Sequence, residues 1–225
     1  MTTAARAPAA PATAGALPSV RRVLLACGIL SSLLYVAATI GGALRWQGYS
    51  SISQAVSELA AIGAPSRPLV APLFLAYDVL IVAFGVGVWR SASGARALRI
   101  TAGLLVGLGL VGLLSAPFPM HLRGVEPTLT DTMHIVLTSV TVLLILFAIG
   151  FGSTALGDGF RVYSIATILI LVIFGALAAF DGPRIAAQLP TPWMGVTERI
   201  NIGGCLLWVV VLATALLRRP RARSG

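Results

Sequence analysis

The chain contains 225 residues, of which 57% are hydrophobic and only 10% are charged, and its mean hydropathy is +0.94. A soluble domain carries about 25% charged residues, so this composition excludes an ordinary soluble protein and predicts a membrane protein. The net charge of +9 comes from arginines alone. No aromatic–basic platform or groove-reading motif accompanies that charge, so nucleic acid is not an expected partner.

Six apolar runs have about the 20 residues that a helix needs to cross the hydrocarbon core of a bilayer. They lie at about 23–44, 69–89, 100–116, 132–152, 162–180 and 200–217. Because the connections between them are short, we predict one all-α domain over residues 21–218, a polytopic bundle of six transmembrane helices. Residues 1–20 are rich in alanine and proline and are expected to be disordered, and residues 219–225 form a basic tail.

The connection after the first span contains the segment SISQAVSELAAIGA. Its apolar residues Ile52, Val56, Leu59 and Ile62 recur at helical spacing. These offsets predict a short amphipathic helix that lies on the outer membrane interface. Pro65 is expected to end that helix shortly before the second span begins.

The second span contains the clearest ionisable residue, Asp78, near the expected mid-plane of the bilayer. An ionisable group inside a span is costly and usually has a function or a partner. No basic residue lies within one helical turn, and burial without a cation favours the neutral carboxyl group, which can donate a proton or a hydrogen bond. Two interpretations remain open. One is a structural hydrogen bond to Tyr35, a threonine or a backbone carbonyl, and the other is a functional acid.

Glycines and cysteines are the small residues of interest inside the predicted spans. The glycines of GLLVGLGLVG in the third span have small-xxx-small spacing, which predicts close helix packing and not phosphate binding. Neither a GxSxG elbow nor a P-loop occurs in the sequence. The two cysteines, Cys27 and Cys205, both fall inside predicted spans and are expected to be small apolar fillers.

Polar residues recur at offsets of three, seven and ten in the fourth and sixth spans, so each set shares one helical face. The members are Asp131, His134, Thr138 and Thr141 in the fourth span, and Glu198, Asn201, Cys205 and Trp208 in the sixth. We interpret the two stripes as walls of one cavity that opens to the outer side, with Glu58 near its mouth. The structural alternatives are capping by Asp131, threonine bonds to the helix backbone, and close helix approach at Gly203 and Gly204.

A metal site is not expected. The only histidines, His121 and His134, are 13 residues apart, and no HExxH motif or histidine pair on one helical face is present. His121 lies in a proline-rich loop and is expected to be solvated. No organic cofactor is predicted.

The distribution of arginines predicts the orientation of the chain. Eleven arginines lie in the tails and connections on the N-terminal side of the spans, and five lie on the other side. The positive-inside rule therefore places both termini in the cytoplasm. The connections on the opposite side are longer and carry most of the acidic residues, so the outer face is expected to be the working face.

Three motifs carry a resemblance to a known family. They are ISxxxSELAAxGAP in the first outer connection, FPMHLRG…DTMH before the fourth span, and MGVTERINI…LLWVVVLATALLR at the end. Together they resemble the bacterial membrane family named domain of unknown function 998, over residues 23–218. The resemblance implies a six-helix bundle in the bacterial cytoplasmic membrane and supplies no activity. The outer segment is also distantly similar to the Frag1/DRAM/Sfk1-type membrane proteins of eukaryotes, which are associated with lipid handling.

Two functions follow as hypotheses. The first is a membrane-embedded enzyme, an acid/base isomerase or cyclase similar to small membrane terpene cyclases, that acts on a lipid or isoprenoid. Its expected catalytic residues are Asp78, Glu58, Asp131, His134 and Glu198. Its expected substrate-binding residues are Tyr35, Phe74, Tyr77, Thr138, Asn201 and Trp208. The second is a non-catalytic lipid-binding, accessory or transport protein. Membrane lipids and a hydrophobic small molecule are the expected partners, and the sequence selects no oligomeric state.

Overall fold

The computed structural model describes residues 19–219, so most of the predicted N-terminal tail and most of the basic tail lie outside the described residues, and Val20 already belongs to the first helix. The helices are α1 (Val20–Arg45), α2 (Arg67–Trp89), α3 (Arg96–Ser115), α4 (Leu129–Gly152), α5 (Asp158–Phe180), α6 (Gly182–Ala186) and α7 (Met194–Arg218). All but the short α6 are long and apolar enough to cross a membrane. The predicted six-helix architecture is confirmed, and the chain is a multi-pass membrane protein.

Local chemistry explains where several helices begin. α2 starts with Pro68 in its first turn, where the missing N–H would have no helical partner. α4 starts with a capping box, in which the Thr128 hydroxyl accepts from the Thr130 N–H and the Asp131 carboxylate accepts from the Thr128 N–H. Gly157, with φ of 101°, reverses the chain before α5. Such polar first turns belong to the helices but not to the apolar runs, so most helices begin a few residues before the predicted spans.

The six long helices form a closed ring in the order α1, α2, α3, α4, α5, α7 and back to α1. Contacts are most extensive between α1 and α2 and between α2 and α3, and they are least extensive between α4 and α5. Glycines permit the close pairs, because Gly28 lies against the Phe84 ring and Gly109 lies against the backbone of Asp78. The ring is therefore tight on one side and loosely joined at the α4–α5 seam.

The packed core lies in the half of the ring next to the chain termini. Its large buried side chains include Leu25, Phe84, Leu105, Ile149, Trp208 and Leu212. Arg21 donates hydrogen bonds to the backbone carbonyls of Leu216 and Arg219, so the start of α1 and the end of α7 lie together. We call this end of the ring the terminal end.

Three connections cover the opposite end: residues 46–66, 116–128 and 181–193. We call them together the cap. The predicted amphipathic helix in the first connection is wrong, because only Ser57–Ala60 forms a 3-10 turn and Val56 is buried while Ile52 is 55% exposed. The Ala55 N–H donates to Glu58 and the Val56 N–H to Glu198. These amides are thus used for side-chain contacts and not for a continuous helix.

Candidate functional site

An ion pair between the buried Glu58 and the partly exposed Arg123 lies at the centre of the cap. Glu58 is 1% exposed, its Oε1 lies 2.6 Å from Arg123 Nη2, and both its carboxylate oxygens lie 3.1 Å from Arg123 Nε. Glu58 also accepts from the Ala55 N–H at 2.9 Å and from the Gln54 side-chain amide at 3.0 Å. This geometry is the bidentate, charge-assisted type that binds strongly and directionally. The Glu58 carboxylate is thus engaged in holding the cap.

Arg123 joins all three connections of the cap. It belongs to the second connection, it binds Glu58 and the Ser53 carbonyl of the first, and its Nη1 donates to the Thr191 hydroxyl of the third at 2.8 Å. Thr191 in turn donates to the Ser53 carbonyl at 2.8 Å. One guanidinium group therefore fixes the relative positions of segments that are far apart in sequence.

Arg199 connects the cap to α7 in a second polar cluster. Its Nη1 donates to the Ser51 carbonyl at 2.8 Å, and its Nη2 lies 2.8 Å from the Tyr49 hydroxyl. Tyr49 donates to the Ala55 carbonyl at 2.8 Å. Burial raises the pKa of Tyr49, so its hydroxyl keeps the proton that it donates.

The predicted site residues Glu198 and Asp131 make capping and bridging contacts. Glu198 Oε2 accepts from the Val56 N–H at 2.6 Å and so attaches the first connection to α7. Asp131 accepts from the His121 N–H at 2.7 Å, and its other oxygen lies 2.8 Å from His121 Nδ1. The expectation that His121 is solvated is wrong, because the loop returns to α4 and pairs with Ile62 on the way.

The two polar stripes lie on helices that are not neighbours in the ring. α4 packs against α3 and α5, whereas α7 packs against α1 and α5. A contact between them lies at the terminal end, where Gly152 lies against Trp208. Thr138 is exposed on α4, and His134 is partly buried near the Phe118 carbonyl. α5 therefore stands between the two helices in the ring, and the convergence of both stripes on one cavity stays a prediction.

The stripe on α7 instead faces α5. Asn201 Nδ2 donates to the Leu171 carbonyl at 2.6 Å, and Trp208 Nε1 donates to the Ser164 hydroxyl at 2.9 Å. Trp208 is 1% exposed and belongs to the packed core. These two predicted substrate-binding residues contribute to helix packing in this structure.

Asp78 lies near the middle of α2, roughly 16 Å along the helix from its start at the cap. Its carboxyl group is partly buried and lies against Gly112 of α3, which has no side chain to displace it. No residue among 19–219 donates a hydrogen bond to this carboxyl group. Among residues 19–219 neither Tyr35 nor a threonine forms the hydrogen bond that the structural interpretation requires, and a bond from the neutral carboxyl group to a backbone carbonyl stays a prediction.

Three aromatic side chains lie beside Asp78 and form what we call the aromatic cluster: Tyr35, Phe74 and Tyr77. The ring centroids of Tyr35 and Phe74 are 4.8 Å apart and stacked, and those of Tyr35 and Tyr77 are 5.0 Å apart in an edge arrangement. Tyr35 is close enough to Asp78 and to Glu198 for both to act on it electrostatically. Tyr77 packs against the buried core, and all three side chains keep some exposed surface.

Sequence reasoning missed the two arginines that organise the cap, Arg123 and Arg199. A signal was present, because both belong to the five arginines on the side that the positive-inside rule leaves poor in basic residues. An arginine on that side is expected to have a hydrogen-bond or ion-pair partner nearby in the fold. The partners themselves, such as Glu58 at 65 residues from Arg123, could not be identified without the fold.

Among residues 19–219 no group of three or more histidine, cysteine, aspartate or glutamate side chains is placed to hold a metal ion. No curated protein and no solved structure matches the chain significantly. The family described as "Protein of unknown function (DUF998)" matches residues 29–215, which include α2 to α6 completely and most of α1 and α7. The chain therefore belongs to the DUF998 family.

Proposed function

We propose that the protein binds a lipid or isoprenoid in the cap half of the helix ring, with Asp78 as the polar anchor for that ligand. The observation that carries the proposal is the partly exposed Asp78 carboxyl group, which has no hydrogen-bond donor from residues 19–219 and lies beside the aromatic cluster. A polar group inside a membrane is expensive unless it is hydrogen-bonded. A hydroxyl or other polar end of a hydrophobic ligand would supply the missing partner.

The aromatic cluster supports the hydrophobic part of this ligand. Tyr35, Phe74 and Tyr77 form a continuous apolar surface next to the carboxyl group, and pockets for small molecules typically combine such surfaces with few polar groups. The loosely joined α4–α5 seam offers a lateral route from the bilayer into the ring. The cap closes the other approach, since its three connections are bound together through Arg123.

Acid catalysis on an isoprenoid is the second candidate, and the position of the three rings favours it. Asp78 would protonate an alkene carbon, and the rings would stabilise the resulting cation by cation–π contact. The Asp78 carboxylate would then remove a proton from a neighbouring carbon, so an isomerisation or cyclisation balances without another reactant. Glu58, Asp131 and Glu198 are engaged in the cap, so this chemistry depends on Asp78 alone.

Ligand retention by Asp78 variants tests the binding proposal. The full chain is purified in a mild detergent, and its co-purified lipids are identified by mass spectrometry. We expect the wild type to retain a discrete hydrophobic species, Asp78→Leu to lose it, and Asp78→Asn to retain part of it because the amide still forms hydrogen bonds. Glu126→Gln removes an exposed acid of the cap and is the matched control, which should retain the species fully.

Two results decide between the candidates. Equal retention in the wild type and in Asp78→Leu would contradict the anchoring role of Asp78. For the catalytic candidate, the identified species is incubated with each variant, and Asp78→Asn should bind it without forming product. Product formation by Asp78→Asn at the wild-type rate would exclude Asp78 as the acid. Melting curves in detergent show whether either variant is merely unfolded.

A further inference from the structure

A groove with a volume of about 190 Å³ lies at the cap end of the seam between α1 and α7. Its lining residues come from the last turns of α1, from the cap and from α7: Thr39, Ile40, Ala43, Leu44, Ser51 and Arg199. Ile40 is 56% exposed and Leu44 is 83% exposed, so the groove opens on the surface that faces lipid. It has an apolar floor on α1 and a cationic rim on α7.

No carboxylate of residues 19–219 forms an ion pair with the cationic rim. Arg123 and Arg184 pair with Glu58 and Asp181, whereas Arg199 forms no ion pair with residues 19–219. Its Nη1 donates to backbone carbonyls and its Nη2 to the Tyr49 hydroxyl.

A guanidinium group has five N–H donors. The Nε–H and one Nη2–H of Arg199 make no bond to the described part of the chain. Two donors and a full charge thus remain at the edge of the groove.

We propose that this groove binds one anionic phospholipid of the leaflet that faces the cap. The lipid phosphate would accept from Arg199, since guanidinium and phosphate geometries match, and from the neighbouring Ser51. The first part of one acyl chain would lie along residues 39–44 of α1, over roughly 8 Å of helix. This site is separate from the interior site at Asp78, so a negative result for one proposal does not contradict the other.

The choice of a phospholipid over a free anion follows from the composition of the groove. Ile40, Ala43 and Leu44 give it an apolar floor next to the charge. A free phosphate would gain nothing from that floor, whereas a phospholipid satisfies both parts. The position of Arg199 in the first turns of α7 also places the charge at headgroup depth.

Competition between two lipids tests the proposal. The full chain in detergent is titrated with phosphatidylglycerol or with phosphatidylcholine of the same acyl chains, and bound lipid is counted by native mass spectrometry. We expect preference for phosphatidylglycerol, and Arg199→Gln should weaken that binding about tenfold and remove the preference. Arg45→Gln removes the same charge from the end of α1 outside the groove and should leave the binding within a factor of about two.

A second variant keeps the test decisive if Arg199→Gln disturbs the cap. Ala43→Phe fills the groove without removing any hydrogen bond of Arg199, and it should weaken both lipids. Unchanged phosphatidylglycerol binding by Ala43→Phe would overturn the proposal, as would equal losses in Arg199→Gln and Arg45→Gln. Displacement of the lipid by millimolar inorganic phosphate would indicate a site for a free anion and would also overturn it. Asp78→Leu should leave the phosphatidylglycerol binding unchanged.

Discussion

The two ends of the helix ring are stabilised by different interactions. At the terminal end, apolar side chains pack around Trp208 and Phe84 with little exposed surface. At the cap end, Glu58, Arg123 and Arg199 bind loop segments through hydrogen bonds and charge. Because lipid chains are as apolar as leucine, burial from water does not drive helix association inside the bilayer. Close packing dominates at the terminal end, and the cap end adds polar bonds at the water boundary to its own buried residues, such as Leu59 and Val70.

The comparison explains where a ligand site is available. A packed core leaves no space for a ligand, so the terminal half acts as a rigid base. The cap is rigid for another reason, since breaking a buried ion pair leaves an uncompensated charge. Between these two rigid layers lie Asp78 and the aromatic cluster, which keep exposed surface.

The largest expected effect concerns which end of the ring faces outward. In a background without Cys27 and Cys205, single cysteines at Glu126 of the cap and at Ser93 of the terminal end are exposed to an impermeant thiol reagent on intact cells. The arginine asymmetry predicts labelling at Glu126 and none at Ser93. The reverse pattern would invert the predicted orientation and move the cap into the cytoplasm.

Loss of the central ion pair should be the most destabilising change in the cap. Arg123→Ala leaves Glu58 buried and unpaired, so we expect the free energy of unfolding to fall by about 3–5 kcal/mol. Reversible unfolding in detergent measures it. The control is Arg184→Ala, whose ion pair with Asp181 is partly exposed and 3.6 Å long and which also donates to the Pro190 carbonyl, with an expected loss of about 0–1 kcal/mol. Similar losses in both variants would show that the cap is not held by Arg123.

A smaller loss is expected from the core of the terminal end. Trp208→Phe keeps an aromatic ring but removes the donor to the buried Ser164 hydroxyl, so the free energy of unfolding should fall by about 1–3 kcal/mol. Trp193→Phe is the matched control, because Trp193 is 64% exposed and should change stability by less than about 0.5 kcal/mol. A Trp208→Phe variant as stable as the wild type would show that this bond contributes nothing to the core.

The smallest expected effect is the coupling between the two ends. The combined variant Arg123→Ala, Trp208→Phe should lose the sum of the two single losses to within about 0.5 kcal/mol, since the residues share no partner. A coupling energy well above that value would mean that the cap and the core unfold as one unit, and the division into two regions would then fail.

The number and nature of the long helices were determined by the sequence itself. A chain that is 57% hydrophobic and has six apolar runs of about 20 residues is expected to form six transmembrane helices. In a bilayer every backbone amide must be hydrogen-bonded inside its own segment, and a helix achieves this. The capping role of Asp131 was also available from the sequence, since capping boxes are local. The isolation of Asp78 was visible as well, because no basic residue is near it in sequence.

The partners of the polar residues were decided by the tertiary structure alone. Helical periodicity places Asp131 and Glu198 each on a face, but it does not say which helices are neighbours, and the ring order puts α5 between α4 and α7. Arg123 meets Glu58 across 65 residues and Thr191 across 68, and no local pattern encodes such distances. Backbone N–H groups that are removed from water need hydrogen-bond acceptors. In the first connection Glu58 and Glu198 supply these acceptors, so the segment does not form the amphipathic helix that its apolar spacing predicts.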